Sequence, residues 1–387
     1  MKLVDVTEFY SQRGGGVRTH LTEKAAAAAR RGHEHLVFAP GPRHATDPGV
    51  RYIPGPSLPY DPTYHLLWRV GAARRLLRAE RPDVLEIHSP YVAAIAALGL
   101  QPSEFGVRTF VWHSDFIDTY LRGGLERRLT VVFRGRAPRA ADRLVEPLWA
   151  HVRRIAAACA MTVVGSRWQK YKLEQHGVAR VEHIPFGIEP GRFAPERRSE
   201  ARRQELLAGR TGPLVLAIGR FAVEKRWDVV VDAYARLAER RPGAVLAVFG
   251  DGPERHVFQD RLGARDDVRV LGFERDRDLL AVTLASGDLL LHGCPYETFG
   301  LGVAEAIASG LPVVVPDAGG AAEQAPPESA VQYPAGDVAA CVAAAEALLA
   351  VHPAELRARA AVAARRVPSV VDHFDALFGR YRELLAR

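Results

Sequence analysis

Two glutamates, Glu297 and Glu305, stand eight positions apart in the stretch GCPYETFGLGVAEAIASGLPVVVPDAGG, Gly293 to Gly320. At about 1.5 Å of rise per residue a helix would hold them roughly 12 Å apart, too far for one acid/base pair. Each can instead accept hydrogen bonds from its own hydroxyl-bearing group, because an ionised carboxylate binds a diol through charge-assisted bonds. Two sugars on either side of a diphosphate fit that spacing. Between the glutamates, Phe299, Gly300 and Leu301 end a loop. Gly300 would let the backbone N–H groups of the helix start approach an anion without an intervening Cβ. Fixed cations come from a second stretch, Gly219-Arg220-Phe221-Ala222-Val223-Glu224-Lys225. Arg220 offers a planar fork and Lys225 a compact charge, both suited to phosphate oxygens. His113, in FVWHSD, ends an apolar run, where an imidazole can touch a ligand or simply cap a strand.

The elements that must position these groups read as alternating strands and helices. Ser286 to Gly293 and Pro312 to Pro316 are short buried strands flanking a helix from Leu301 to Ser309. On that helix Leu301, Val303, Ala304, Ile307 and Ala308 face the sheet, which predicts Glu305 and Ser309 on the opposite, ligand-accessible face. Further strands are expected at Lys2–Phe9, His33–Ala39, Asp83–His88, Val107–Trp112, Met161–Gly165, Pro213–Ile218, Ala244–Gly250 and Val268–Phe273. Helices are expected over Val17–Arg31, Pro62–Arg81, Tyr91–Leu100 and Trp227–Arg241, and Ala-rich ones near the end of the chain. Ser11-Gln12-Arg13-Gly14-Gly15-Gly16 links the first strand to the first helix. Strand, glycine loop, helix suits a nucleotide, although the Lys and Ser/Thr of a Walker A loop are missing. This alternation predicts an α/β chain with parallel sheets covered on both faces and ligands at the carboxyl ends of the strands. Pro and Gly crowd Ile184 to Pro195 and mark a linker.

Glu297, seven intervening residues and Glu305, with Phe299-Gly300 inside and Ala308-Ser309-Gly310-Leu311-Pro312-Val313 after, resemble the signature of the family-four retaining glycosyltransferases of the GT-B fold. The Gly219-Arg220-Phe221 and Glu224-Lys225 pattern and His113 extend the match, while Glu189 stands where the family usually has Asp. The resemblance implies two Rossmann-like doubly wound domains facing across a cleft, residues 1–188 and 189–368, with a last helix, 369–387, crossing back. It implies retaining transfer of a hexose, of mannose or glucose type, from a UDP- or GDP-sugar, with no cofactor and no metal. The roles implied are Glu297 on the hexose, Glu305 on the ribose, and His113, less securely with Asp115, on the sugar and its phosphate. Gly219, Arg220, Lys225 and the Phe299–Leu301 amides clamp the diphosphate, and Gly15 and Gly16 close over it. A sugar, polysaccharide, lipid-linked or small-molecule acceptor completes the reaction. A GT-B epimerase or phosphorylase, or a non-catalytic nucleotide-sugar binder, shares these features.

Size and composition agree. With 387 residues and 48% hydrophobic content the chain can bury two cores. The N-terminus has no signal-peptide pattern and no apolar run approaches the ~18 residues of a membrane span, so a cytoplasmic enzyme is expected. Three widely spaced cysteines, Cys159, Cys294 and Cys341, suggest neither a disulfide framework nor a cysteine metal site. A net charge of +7 favours anionic partners. Nucleic acid is disfavoured, since the Arg-rich stretches carry no aromatic stacking series. Tyr120 to Arg154 sets Leu121, Leu125, Leu129, Val132 and Phe133 against Arg122, Arg127, Arg128, Arg134, Arg136 and Arg139. Such a stretch admits peripheral contact with an anionic membrane face. Asp276-Arg277-Asp278 is read as a helix cap rather than a metal motif.

Overall fold

The computed structural model describes residues 1–10, 15–42, 44–58, 61–125, 129, 137–189, 191–262 and 265–387. The chain forms two compact units, Met1–Pro185 with Val371–Arg387, and Phe186–Val370.

The first unit is built on a seven-stranded sheet in the order β3-β2-β1-β6-β7-β8-β9. Its strands are β1 (Lys2–Val6), β2 (Glu34–Gly41), β3 (Val50–Pro54), β6 (Val84–Ile87), β7 (Val107–Trp112), β8 (Met161–Val164) and β9 (Val181–His183). Every pairing in the sheet is parallel. The apolar runs read from the sequence are continuous rather than alternating because helices cover both faces. The helix α1 (Gly16–Arg30) connects β1 to β2, α2 (Val70–Glu80) precedes β6, and α3 (Val92–Leu98) follows it. Val4, Val6, Leu85, Ile87, Phe110, Trp112 and Trp149 fill the core. The last helix, Val370–Leu385, buries Phe374, Leu377, Phe378 and Tyr381, a spacing of three, one and three that makes one helical stripe.

One prediction fails in this unit. Helix was expected from Pro62 onward, but β5 (Asp61–His65) pairs antiparallel with β4 (Ser57–Leu58), and the helix begins only at Val70. Asp61-Pro62 could open a helix, but Thr63 and Tyr64 favour a pleated strand, and the pairing with β4 takes them. Of the residues behind the membrane reading, Arg127, Arg128, Val132, Phe133, Arg134 and Arg136 lie outside the described residues. Arg122 pairs with Asp142 at 2.6 Å. Among the described residues no single helix is long and apolar enough to cross a membrane.

The second unit carries a six-stranded sheet in the order β12-β11-β10-β13-β14-β15. These are β10 (Leu214–Ile218), β11 (Val245–Phe249), β12 (Val268–Gly272), β13 (Leu289–Leu291), β14 (Val313–Pro316) and β15 (Ala330–Tyr333), again all parallel. Its first and last segments meet: Ile188 N–H donates to Pro368 and Val370 N–H to Ile188, at 2.9 and 3.0 Å. Asp276 caps the helix Arg277–Ser286, its Oδ1 accepting from the N–H groups of Asp278 at 2.9 Å and Leu279 at 3.1 Å, as expected. The expected exposed face on the helix Leu301–Ala308 is absent. Val303 through Ala308 are all buried, Glu305 among them, and Ser309 is buried too. A helix this short and apolar is enclosed on every side by its neighbours, so the period-based split of its faces does not apply.

Candidate donor site

The order of the second sheet reverses between β10 and β13, and it is outside the carboxyl ends of such neighbouring strands that α/β folds leave a crevice. β10 runs into Gly219–Lys225 and β13 into His292–Glu297, so the two stretches singled out from the sequence start side by side. Lys225 Nζ lies 2.6 Å from Glu297 Oε1, and His292 Nε2 lies 3.3 Å from the same oxygen. Burial alone would raise the Glu297 carboxyl; Lys225 and His292 overcome it and hold that carboxyl well below its ordinary value. Burial likewise opposes the charge of Lys225, but Glu297 raises its pKa above the ordinary lysine value. The pair is therefore ionised and pre-oriented. Gly293 makes the approach of the two loops feasible, since a Cβ there would lie 2.6 Å from the Arg226 carbonyl and 2.8 Å from that of Lys225.

Arg220, its side chain 50% exposed, donates to Glu224 at 2.8 Å, and its carbonyl accepts the indole N–H of Trp227 at 2.9 Å, which pins the loop. Gly219 precedes it at the end of β10. Gly300 takes the left-handed conformation at φ 88° as it opens the helix Leu301–Ala308, and side chains with a Cβ are strained there. The Glu297 loop is tied down behind. Gly320 N–H donates to the Glu297 carbonyl at 2.7 Å, and the Gln324 amide to the Phe299 carbonyl. Phe299 is buried edge-on against Phe186, ring centres 5.5 Å apart.

Glu305 is not free, as its predicted face implied. It forms an ion pair with Arg277, whose guanidinium also lies 5.0 Å above the Phe193 ring. Burial raises the Glu305 carboxyl above its usual value despite that cation. Sequence reading missed both Arg277 and His292. The signal for His292 was its place as the last polar residue before the turn of SGDLLLHG; Arg277 was seen only as part of a capping sequence.

In the first unit the sheet order reverses between β1 and β6. Asp5 and Glu86 are register partners there, and Lys24 from α1 bridges them, Nζ to Asp5 2.7 Å and to Glu86 2.6 Å, all three side chains fully buried. Thr109 donates to Glu86 at 2.9 Å, Tyr381 also donates to it, and His35 Nε2 lies 2.6 Å from Asp5. His113 follows β7, its Nε2 2.7 Å from His88 Nδ1, with the His20 ring centre 5.1 Å away. Burial, then His88 and His373, push the His113 imidazole well below its usual pKa, so it is neutral. Asp115 pairs with Lys172 and is occupied structurally. Gly15 and Gly16 begin α1, Gly15 at φ 124°; Gly14 lies outside the described residues.

Among the described residues, three groups of side chains have ligand atoms within 4.8 Å of one another: His20, His88 and His113; Asp5, Glu86 and His88; and His292, Cys294 and Glu297. In two of them a lysine ammonium already sits on a carboxylate, Lys24 on Asp5 and Glu86 and Lys225 on Glu297.

The chain matches the glycosyl transferases group 1 model over residues 198–367 and the glycosyltransferase family 4 model over residues 14–192. It is 32% identical over 320 residues to a GDP-mannose-dependent alpha-(1-6)-phosphatidylinositol dimannoside mannosyltransferase of Mycobacterium tuberculosis, covering 81% of this chain and 79% of that protein. It is 31% identical over 401 aligned residues to a GDP-mannose-dependent alpha-mannosyltransferase of Mycolicibacterium smegmatis, covering 98% of each. Among solved structures it resembles the sucrose-phosphate synthase of Thermosynechococcus elongatus, with a TM-score of 0.76 at 19% identity over 100% of this chain and 99% of the other. Anabaena Alr3699/HepE in complex with UDP and glucose gives 0.71 at 19% identity over 99% and 100%.

Proposed function

Because the chain belongs to the group 1, family-four glycosyltransferases of the GT-B fold, we propose that it transfers mannose from GDP-mannose to a lipid-linked or polysaccharide acceptor, with retention of configuration and without a metal ion. Use of a nucleotide-sugar donor belongs to the family as a whole. The choice of GDP-mannose is supported by the relatives named for that donor, and a lipid-linked acceptor by the dimannoside lipid in the name of one. A cytoplasmic enzyme meeting its acceptor at the inner membrane face fits this reading.

The observation that carries it is the ionised Lys225–Glu297 pair, with His292, at the reversal of the second sheet. Breaking the bond between the anomeric carbon and the diphosphate oxygen leaves negative charge on the diphosphate while positive charge grows on the sugar ring. Groups already aimed at both charges need no reorganisation as the reaction proceeds. Lys225 and Arg220, with the backbone at Gly219 and at Phe299, Gly300 and Leu301, receive the diphosphate. Lys225 also fills the place beside Glu297 and His292 that a cation would need. Glu297 accepts hydroxyl hydrogen bonds from the hexose. Glu305 takes the ribose hydroxyls once Arg277 releases it. From the resemblance we carry His113 onto the sugar and its phosphate, and Gly15 and Gly16 onto the diphosphate. The acceptor oxygen bonds to the anomeric carbon on the face the diphosphate leaves, and its proton passes to the departing phosphate oxygen.

The test is a donor panel of GDP-mannose, GDP-glucose, UDP-glucose and ADP-glucose, with and without glycolipid acceptors and with EDTA. The reading expects GDP release only when acceptor is present, unchanged by EDTA, and an α-mannosyl product by NMR. Epimerised donor without acceptor, a β product, or activity lost to EDTA and restored by manganese would each overturn the corresponding part.

A further inference from the structure

We propose that Tyr91, braced by Phe9 and Phe116, is a stacking platform for a pyranose ring of the acceptor, and so a binding residue that helps to set which acceptors are taken.

The three rings come from the carboxyl ends of three neighbouring strands. Phe9 follows β1, Tyr91 follows β6 and Phe116 follows β7, and these strands are adjacent in the first sheet. Phe9 and Tyr91 meet edge to face with ring centres 5.8 Å apart, and Tyr91 and Phe116 with centres 5.0 Å apart. Phe116 rests in turn against Trp112, 5.9 Å away. The series climbs from the core to the surface: Trp112 is 1% exposed, Phe9 and Phe116 are half-buried, and Tyr91 is 36% exposed. The backbone under Tyr91 is fixed as well. The Glu8 carboxyl accepts from the Ser89 hydroxyl and the Ala93 N–H, two residues before Tyr91 and two after, and the Glu8 N–H donates to Ser89 Oγ at 3.3 Å. The segment carrying Tyr91 is thus tied on both sides to the segment carrying Phe9, so a ligand finds the ring already ordered.

The charge distribution of such a ring selects its ligand. An aromatic face is negative and its edge positive. A pyranose offers a face of C–H groups made weakly positive by the oxygen on each carbon, with its hydroxyls around the rim. That face lies well on an aromatic one. A phosphate is repelled by it, and an acyl chain gains no more from tyrosine than from leucine. Position then points to the acceptor. Gly15 and Gly16 also follow β1, and His113 follows β7 three residues before Phe116, so the platform shares one end of the sheet with residues carried onto the donor. In that reading the donor's hexose, diphosphate and ribose each have their own residues, and its base hangs from the ribose assigned to Glu305 in the second unit. The acceptor ring is the part of the reaction without a surface.

This rests on the reading of the chain as a transferase, but its first test involves no turnover. Saturation-transfer difference NMR with methyl α-mannopyranoside, irradiating the aromatic protons of the native protein, is expected to saturate the pyranose C–H groups more strongly than the methoxyl group. Tyr91→Leu should lose most of that transfer. No transfer to the native protein's ligand, or transfer that Tyr91→Leu leaves intact, overturns the proposal, and if the variant does not fold the native measurement decides. The second test is kinetic, with GDP-mannose as donor. Tyr91→Leu is expected to raise KM about tenfold for both methyl and octyl α-mannopyranoside, and Tyr91→Phe, which keeps the ring, to stay within about twofold of the native value. Donor KM should not move in either. An unchanged acceptor KM in Tyr91→Leu overturns the proposal, and so does a rise confined to the octyl glycoside, which would put an acyl chain on the ring. A rise in KM for GDP-mannose alone would give the ring to the donor's base. Binding of the mannoside at Tyr91 in a protein that transfers from no donor of the panel would instead refute the transferase reading and leave the platform standing.

Discussion

Each unit of this protein places a lysine on carboxylate at the point where its sheet order reverses, and the two lysines are used differently. Lys24 lies on a helix face with none of its side chain exposed and divides its N–H donors between Asp5 and Glu86. Lys225 lies on a loop, keeps 22% of its side chain accessible, and bonds one carboxylate, Glu297. The first arrangement relieves two like charges set opposite each other on adjacent strands; nothing about it invites a ligand. The second holds a cation ready at the carboxyl end of two strands, where an incoming anion can share it. In the proposed function the same ion-pair chemistry thus serves conformation in one unit and binding in the other. Burial and the number of carboxylates decide which.

The sharpest way to break that contrast is to remove each lysine. Lys225→Ala is expected to lower kcat by about 10²–10³-fold, the usual loss when one pre-oriented group facing a developing anion is deleted, with the unfolding midpoint little changed. Turnover within a few-fold of the native enzyme would end the claim that Lys225 serves the leaving group. Lys24→Met should do the reverse. Leaving two carboxylates buried without their cation costs about 3–5 kcal/mol, to be read by urea denaturation of the unit's tryptophan signal, which Trp112 and Trp149 in its core supply. A variant as stable as the native protein would show that Lys24 is not what holds Asp5 and Glu86 together.

Glu305 refines the comparison within the second unit. Paired with Arg277 and largely buried, it would, in the role proposed for it, exchange an internal cation for ribose hydroxyls when donor binds. Glu305→Gln should therefore raise donor KM about tenfold, about 1.4 kcal/mol, and leave kcat nearly unchanged, because the ribose is bound alike in ground and transition states. A fall in kcat at constant KM would move Glu305 from binding to the chemistry.

The legible part of this molecule was what local pattern controls. The alternation of apolar runs and helices gave two parallel α/β sheets, and the loops ending in Lys225 and Glu297 were picked out before their contact was known, because strand ends, glycine and charge coincide there. What stayed hidden depended on partners distant in sequence. Glu305 was given an open face since a single helix shows its period but not how many neighbours enclose it. His292 looked like the tail of an apolar strand; its meaning comes from Glu297, which only the return of the loop brings within 3.3 Å. Lys24, Asp5, Glu86 and His88 went unremarked because each is an ordinary residue on its own element, and only the pairing of β1 with β6 under α1 makes them a cluster. The Pro62 segment failed for a local reason, a hairpin strand read as the first turns of a helix.

A last test lies at Glu8, just beyond β1, and it separates the two roles of buried charge once more. Its carboxylate accepts from the Ser89 hydroxyl and from the Ala93 N–H at the start of α3. Burial nevertheless raises its pKa from 4.5 to about 7, against the pull of the Ala93 and other backbone N–H groups. With a native pKa above the unfolded one, the folded chain holds a proton that the unfolded chain has lost over this interval. The stabilisation from this group is complete below about pH 4.5 and disappears as the pH rises through about 7. The difference in unfolding midpoint between the native protein and Glu8→Gln should accordingly change steadily from pH 5 to pH 8, with the variant relatively more stable at the alkaline end. The carboxylates held low by Lys24 and Lys225 titrate at more acid pH and cancel in that difference. A difference flat across the interval would mean that Glu8 is already ionised when folded, and so belongs with the paired charges around Asp5 rather than standing as a carboxyl kept neutral by its surroundings.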